Sequence, residues 1–173
     1  MDVLIVVDMQ KALMIGNEKC DIDQVLKRIE RLSDRLRRRG GRIVYIQHAG
    51  PQESDFAPQS PGWVLFDALK PAEQDLTIHK RFNDAFFRTS LEADLRDMAP
   101  ERVLIAGWAT DFCVDATVRT AAALGFRTAV VADCHTVSDR PGLSAQEIIE
   151  YHHWKWQQII SPHPVEIIAE IRI

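Results

Sequence analysis

Three side chains in this sequence have the types that nucleophilic and acid–base chemistry needs: the carboxylate of Asp8, the ammonium of Lys80 and the thiol of Cys113. A thiol attacks carbon as the thiolate, and a helix N-terminus or a nearby cation lowers its pKa. In GWATDFCV, Cys113 falls in the first turn of an expected helix, with Thr110 or Asp111 as the cap. From position alone, a buried structural cysteine is the competing reading. Asp8 closes the apolar run VLIVVD, where partial desolvation raises a carboxyl pKa toward the range useful to a general acid or base. A turn or cap role is its alternative. Lys80 ends LTIHK, where it can hold and orient the Asp8 charge, although taken singly it reads as a surface lysine.

The elements that must position these groups alternate. Residues 3–8, 42–47 (RIVYIQ), 76–80, 102–107 (RVLIAG), 128–133 (TAVVAD) and 165–168 (VEII) are short apolar runs of the buried-strand type. Between them, residues 22–39 carry Ile22, Val25, Leu26, Ile29, Leu32 and Leu36 at helical spacing. Further helices are expected near 61–69, over 89–98, from Phe112 to Leu124 and over 143–160. This alternation predicts one α/β domain over residues 1–173. Its sheet is doubly wound, mainly parallel and six-stranded, with helices on both faces. Such sheets bind ligands beyond the carboxyl ends of their strands, where strand order reverses. In the order 3-2-1-4-5-6 the first and fourth strands adjoin at that point, and Asp8, Lys80 and Cys113 converge on one crevice. Trp63, Phe82, Phe86, Trp108 and Phe112 lie near it in sequence and can line an apolar pocket, with core packing as the default for each.

Composition narrows the function classes. The chain has 173 residues, 46% hydrophobic and 27% charged, with a net charge of −4, which fits a globular domain and not a nucleic-acid-coating one. No apolar run approaches the ~20 residues of a membrane helix, and the N-terminus lacks the basic region and cleavage site of a signal peptide. Cys20, Cys113 and Cys134 are three, widely spaced and without a CxxC pair, which argues against a disulfide framework and for a reducing compartment, the cytoplasm. No GxGxxG or Walker A loop supports nucleotide binding. His152-His153-Trp154-Lys155-Trp156 has no HExxH arrangement and reads as packing against the sheet or a partner subunit. A small-molecule substrate is expected, with no cofactor, nucleic acid or membrane partner.

Three segments resemble the isochorismatase-like cysteine hydrolases, which include nicotinamidases, N-carbamoylsarcosine amidases and isochorismatase. LIVVDMQ holds Asp8. HKRFNDAFFRTSL repeats the family's lysine, phenylalanine, threonine, leucine spacing as Lys80, Phe86, Thr89 and Leu91. LIAGWATDFCVDATVRTAAALGFRTAVVAD holds Cys113, and SPGW (60–63) is a fourth, weaker signature. The resemblance implies an Asp8–Lys80–Cys113 triad in which Cys113 attacks a carbonyl carbon, Asp8 moves the proton and Lys80 holds Asp8. It implies a cis bond at Trp108–Ala109 that aims the Ala109 N–H, with the Cys113 N–H, at the oxyanion. It also implies a homo-oligomer, a dimer or tetramer. Three departures bear on substrate. Leu13 or Met14 replaces an aromatic, which puts Leu13 in the expected pocket wall. The Asp-x-His spacing of the metal-binding nicotinamidase branch is missing from IQHAGPQESDF, so no metal is expected near His48. Trp108 replaces a small aliphatic.

The leading expectation is a metal-free hydrolase of an amide-like C–N bond, acting through a Cys113 thioester. The alternatives are vinyl-ether hydrolysis with Asp8 as proton donor, and a catalytically silent binding module on the same fold.

Overall fold

The computed structural model describes residues 1–173. Six parallel strands, β1 (Asp2–Val7), β2 (Arg42–His48), β3 (Leu76–Lys80), β4 (Arg102–Trp108), β5 (Thr128–Thr136) and β6 (Glu166–Ile168), form one sheet in the order β3-β2-β1-β4-β5-β6. Four helices, α1 (Ile22–Arg38), α2 (Leu91–Met98), α3 (Asp115–Ala123) and α4 (Ala145–Gln157), cover it. The side-chain alternation of β1 divides the core. Val3, Ile5 and Val7 face α2, α3 and α4, packing with Leu91, Leu95, Val118, Ala121 and Trp156. Leu4 and Val6 face α1, packing with Val25, Ile29, Leu32 and Leu36. No helix is long and apolar enough to cross a membrane.

Two expected elements differ. Residues 61–69 are not helical. Their backbone instead pairs with the chain after β1: Lys11 N–H donates to Val64 O at 2.9 Å, Ala12 N–H to Gly62 O at 2.8 Å and Phe66 N–H to Met9 O at 3.2 Å. Groups committed to a distant segment cannot close i→i−4 bonds. The helix expected from Phe112 opens instead as a π-helical turn over Thr110–Val114, and the regular helix begins at Asp115. Neither Thr110 nor Asp111 caps it. The Thr110 hydroxyl lies 2.8 Å from His135 Nδ1 and 3.1 Å from Thr136 O, and Asp111 holds Arg140 at 2.8 Å.

Gly107 sets the closest approach in the sheet. It pairs with Val7, the residue before Asp8, at a φ of +121°, and a Cβ there would lie 2.1 Å from Val7 O. Gly107→Ala is therefore expected to lose about 3 kcal/mol or more, from the strained φ and the collision together. Urea unfolding measures it; a loss below about 1 kcal/mol would show that β1 can move aside.

Candidate active site

Each candidate is presented by a strand end. Asp8 follows β1 with a left-handed φ of 52°, a conformation open to aspartate, and its N–H donates to Ile46 O at 2.9 Å. Lys80 ends β3 in register with His48 of β2, and its carbonyl accepts from Ala49 N–H at 2.7 Å. Cys113 sits in the π-helical turn after β4, against the core under that turn. The sheet order brings the three together. Lys80 Nζ lies 2.6 Å from Asp8 Oδ2 and 3.3 Å from Cys113 Sγ, and donates to Phe82 O at 3.0 Å. Cys113 Sγ also points at Asn83 Oδ1, 3.8 Å away. All three side chains are buried, with Lys80 and Asp8 only 0% and 1% exposed.

Burial sets the proton affinities. Asp8 is held above the ordinary aspartate value, because desolvation outweighs the attraction of Lys80. The contact with Lys80 is an ion pair of poor hydrogen-bond angle, which leaves both carboxylate oxygens without a well-aligned donor. The Cys113 thiol is pushed up to about 12, first by burial and then by the Asp8 charge, against the pull of Lys80. This corrects the expectation of a thiol acidified by a helix end and a cation. Cys113 rests as the thiol and ionises only by handing its proton to a base. Asp8 is the carboxylate whose charge it feels.

His48 is the neighbour that its lone position in the sequence does not reveal. Gln10 clasps its backbone, accepting from His48 N–H at 2.8 Å and donating to His48 O at 3.1 Å. Burial and the Lys80 charge hold its imidazole below the usual histidine value, so it is neutral at pH 7. No three His, Cys, Asp or Glu side chains are grouped to hold a metal ion. The imidazole instead meets Phe56 edge to face, with ring centroids 5.7 Å apart.

The expected pocket residues separate. Phe82 and His48 line a hollow of about 650 Å³ under the 49–59 loop. Leu13 and Trp108 line a smaller one of about 240 Å³ with Phe56. His48 on the wall of the first meets Phe56 on the wall of the second. Trp63 packs on His79 at 4.9 Å. Phe112 is exposed, with the Arg140 guanidinium 5.1 Å over its ring. Phe86 is a core residue stacked on Phe126 at 6.2 Å and lines neither hollow. The Trp108–Ala109 peptide bond is cis. Cys134 is fully buried in β5, on the α1 side of the sheet, and Cys20 is half-buried in the turn before α1. No cysteines are bonded. In the histidine-rich segment Trp156 is buried in the core, His152 donates to Ile148 O at 2.7 Å, and His153 lies 2.8 Å from His135.

Residues 2–153 match the sequence profile of the Isochorismatase domain. The chain belongs to the isochorismatase family. It is 34% identical over 139 residues to a streptothricin hydrolase of Streptomyces noursei, an alignment covering 80% of this chain and 55% of that protein. The chain thus spans about half the length of the streptothricin hydrolases it matches. It is also 34% identical over 134 residues to the uncharacterized isochorismatase family protein YrdC of Bacillus subtilis, covering 75% of this chain and 71% of that one. Among solved structures, an isochorismatase from Pseudomonas putida superposes with a TM-score of 0.91 at 25% identity, covering 99% of this chain and 89% of that one.

Proposed function

We propose that this isochorismatase-family protein is a cysteine hydrolase that cleaves an amide-like C–N bond of a small molecule. The single observation behind it is the buried contact set of Lys80 Nζ with Asp8 at 2.6 Å and Cys113 at 3.3 Å. The family supplies the class, since the matches include proteins named streptothricin hydrolase and maleamate amidohydrolase.

In this reading the Asp8 carboxylate takes the thiol proton as Cys113 Sγ bonds to the carbonyl carbon. The carbonyl π pair moves onto oxygen, and the N–H groups of Ala109 and Cys113 hold that oxyanion. The oxyanion collapses, the C–N bond breaks, and Asp8 gives its proton to the departing amine. Water then attacks the thioester carbon, losing a proton to Asp8. The acid leaves as the C–S bond breaks, and the proton returns to sulfur. Lys80 keeps Asp8 ionised where burial would otherwise neutralise it, and holds it against the thiol. Losing one oxyanion donor typically costs about 100- to 1,000-fold in rate.

An ammonia-release screen over small amides, ureides and carbamoyl amino acids tests this. A substrate whose turnover is unaffected by chelator supports the reading, and loss of turnover to chelator contradicts the metal-free mechanism. The pH profile follows from Asp8. Its folded pKa is raised, so the required carboxylate is lost already as pH falls toward that value. The acid limb of kcat/KM is expected above the 3.8 of a free aspartate. A limb at or below 3.8 would show that Asp8 is not the base.

The raised proton affinity of Asp8 also favours a second reading, vinyl-ether hydrolysis with protonated Asp8 as acid. That reaction needs no thiol, so isochorismate turnover retained in Cys113→Ala would select it.

A further inference from the structure

A chain of polar side chains leads from α4 through β5 to the turn that carries Cys113. Thr110 opens that turn and is fully buried. Its hydroxyl lies 2.8 Å from Nδ1 of His135, in β5, and 3.1 Å from Thr136 O. His135 Nε2 lies 2.8 Å from Nε2 of His153, on α4. The His135 ring meets His153 and the fully buried Trp156 edge to face, with centroids 5.0 and 5.4 Å apart. Burial holds His135 far below the ordinary histidine value, at about 3, so the ring is neutral and carries one proton. That proton fixes the order of the chain. The Thr110 hydroxyl has one hydrogen. Given to Thr136 O, it leaves the oxygen to accept from His135 Nδ1–H, and His135 Nε2 then accepts from His153 Nε2–H. In this order every group from His153 to Thr136 O is satisfied, and a satisfied buried network holds its members rigidly.

The triad's proton transfers do not use this chain. Its effect is on geometry. Thr110 follows Ala109, and Ala109 O accepts from Phe112 N–H and Val114 N–H, both at 3.0 Å, on either side of Cys113. A tie on Thr110 therefore fixes the turn between the two N–H groups that hold the oxyanion in the reaction above. Ala109 is fully buried, and its N–H donates to no group of the protein, which suits a donor kept for the transition state. No side chain of the turn itself caps it, so the tie comes from β5 and α4. We propose that His135 is a positioning residue of this hydrolase. Through Thr110 it holds the Ala109 and Cys113 N–H groups where the oxyanion forms, and His153 fixes its tautomer. The proposal rests on the reading of Cys113 as nucleophile.

Two reagents separate these ideas without a known substrate. p-Nitrophenyl acetate acylates Cys113: sulfur bonds to the carbonyl carbon, the π pair moves onto oxygen and then expels p-nitrophenolate, and Asp8 takes the thiol proton. Iodoacetamide alkylates the same sulfur by displacing iodide and forms no oxyanion. Pre-steady-state release of p-nitrophenolate, less that of Cys113→Ala, gives the first rate. Mass spectrometry of the alkylated Cys113 peptide gives the second. Their ratio isolates the oxyanion donors from the thiol. Thr110→Val removes the hydroxyl at nearly constant shape. Thr110→Val/His135→Leu removes both partners, which leaves neither stranded and spares the fold. Both variants, shown to be folded by thermal unfolding, are expected to lower the acylation-to-alkylation ratio by about 10- to 100-fold, the scale of misplaced oxyanion donors. Thr110→Ser, which keeps the hydroxyl, is expected to restore it. A ratio unchanged in the folded double variant overturns the positioning role and leaves the nucleophile standing, whether neither rate falls or both fall equally. A Thr110→Ser variant as slow to acylate as Thr110→Val overturns it too, because packing then explains the effect. A wild-type Cys113 inert to both reagents overturns the nucleophile, and the positioning role with it.

Discussion

Replacing Cys113 with alanine is expected to lower the turnover of any amide substrate by on the order of 10⁴-fold or more, the scale of losing a covalent nucleophile. No other thiol can stand in. Cys134 is fully buried on the opposite face of the sheet, and Cys20 lies in the turn before α1. The fold should tolerate the change. The lost sulfur is one buried heavy atom, worth about 1 kcal/mol, and Lys80 keeps both Asp8 and the Phe82 carbonyl as partners. Cys113→Ser should be nearly as inactive, because an alcohol binds its proton more tightly than a thiol already pushed up to about 12. The measurement is the steady-state rate of both variants beside wild type, with thermal unfolding as the control. An alanine variant within tenfold of wild type, folded to the same temperature, removes the thioester from the mechanism and leaves Asp8 acting as a proton donor.

What the sequence makes legible is what repeats at short range. The apolar runs 3–8, 43–47 and 103–107 are buried on both faces, so composition alone identifies them, and their alternation with helices dictates a parallel sheet. The site follows from that topology, because Asp8, Lys80 and Cys113 each stand at or just past a strand end. Contacts made over long separations are not legible. Thr110 and Asp111 have the residue types of caps, but their side chains are taken by His135 and Arg140, 25 and 29 residues away. A helix is expected near 61–69, yet that segment bonds to residues 9–12. Phe86 falls in a stretch that runs past the site, but its ring turns inward to Phe126. The thiol shows the same limit in its chemistry. A cation and a helix start can be read from a string of letters, whereas the degree of burial that overrides them is a property of the packed molecule.

Lys80→Met is expected to cost about 3–5 kcal/mol of stability at neutral pH, the scale for breaking a buried ion pair from one side. In a chain of this size that lowers the melting temperature by on the order of 10 °C. The cause is Asp8, left ionised in a site where 1% of it reaches solvent, with neither oxygen held by a well-aligned donor. Two comparisons separate this from a simple packing loss. The first is pH. Asp8 already has a folded pKa above its unfolded one, and losing Lys80, the largest opposing influence, raises it further. A carboxyl raised by folding costs no stability while protonated in both states. Its cost appears as pH rises above the unfolded value of 3.8 and is complete once pH passes the folded value. The deficit of Lys80→Met against wild type should therefore shrink from pH 8 toward pH 5. The second is the double variant Asp8→Asn/Lys80→Met, which removes the stranded charge and should recover at least half of the loss. Urea unfolding of the four proteins at both pH values decides it. A deficit that is independent of pH and persists in the double variant would assign Lys80 a packing role and would leave Asp8 ionised by some other means.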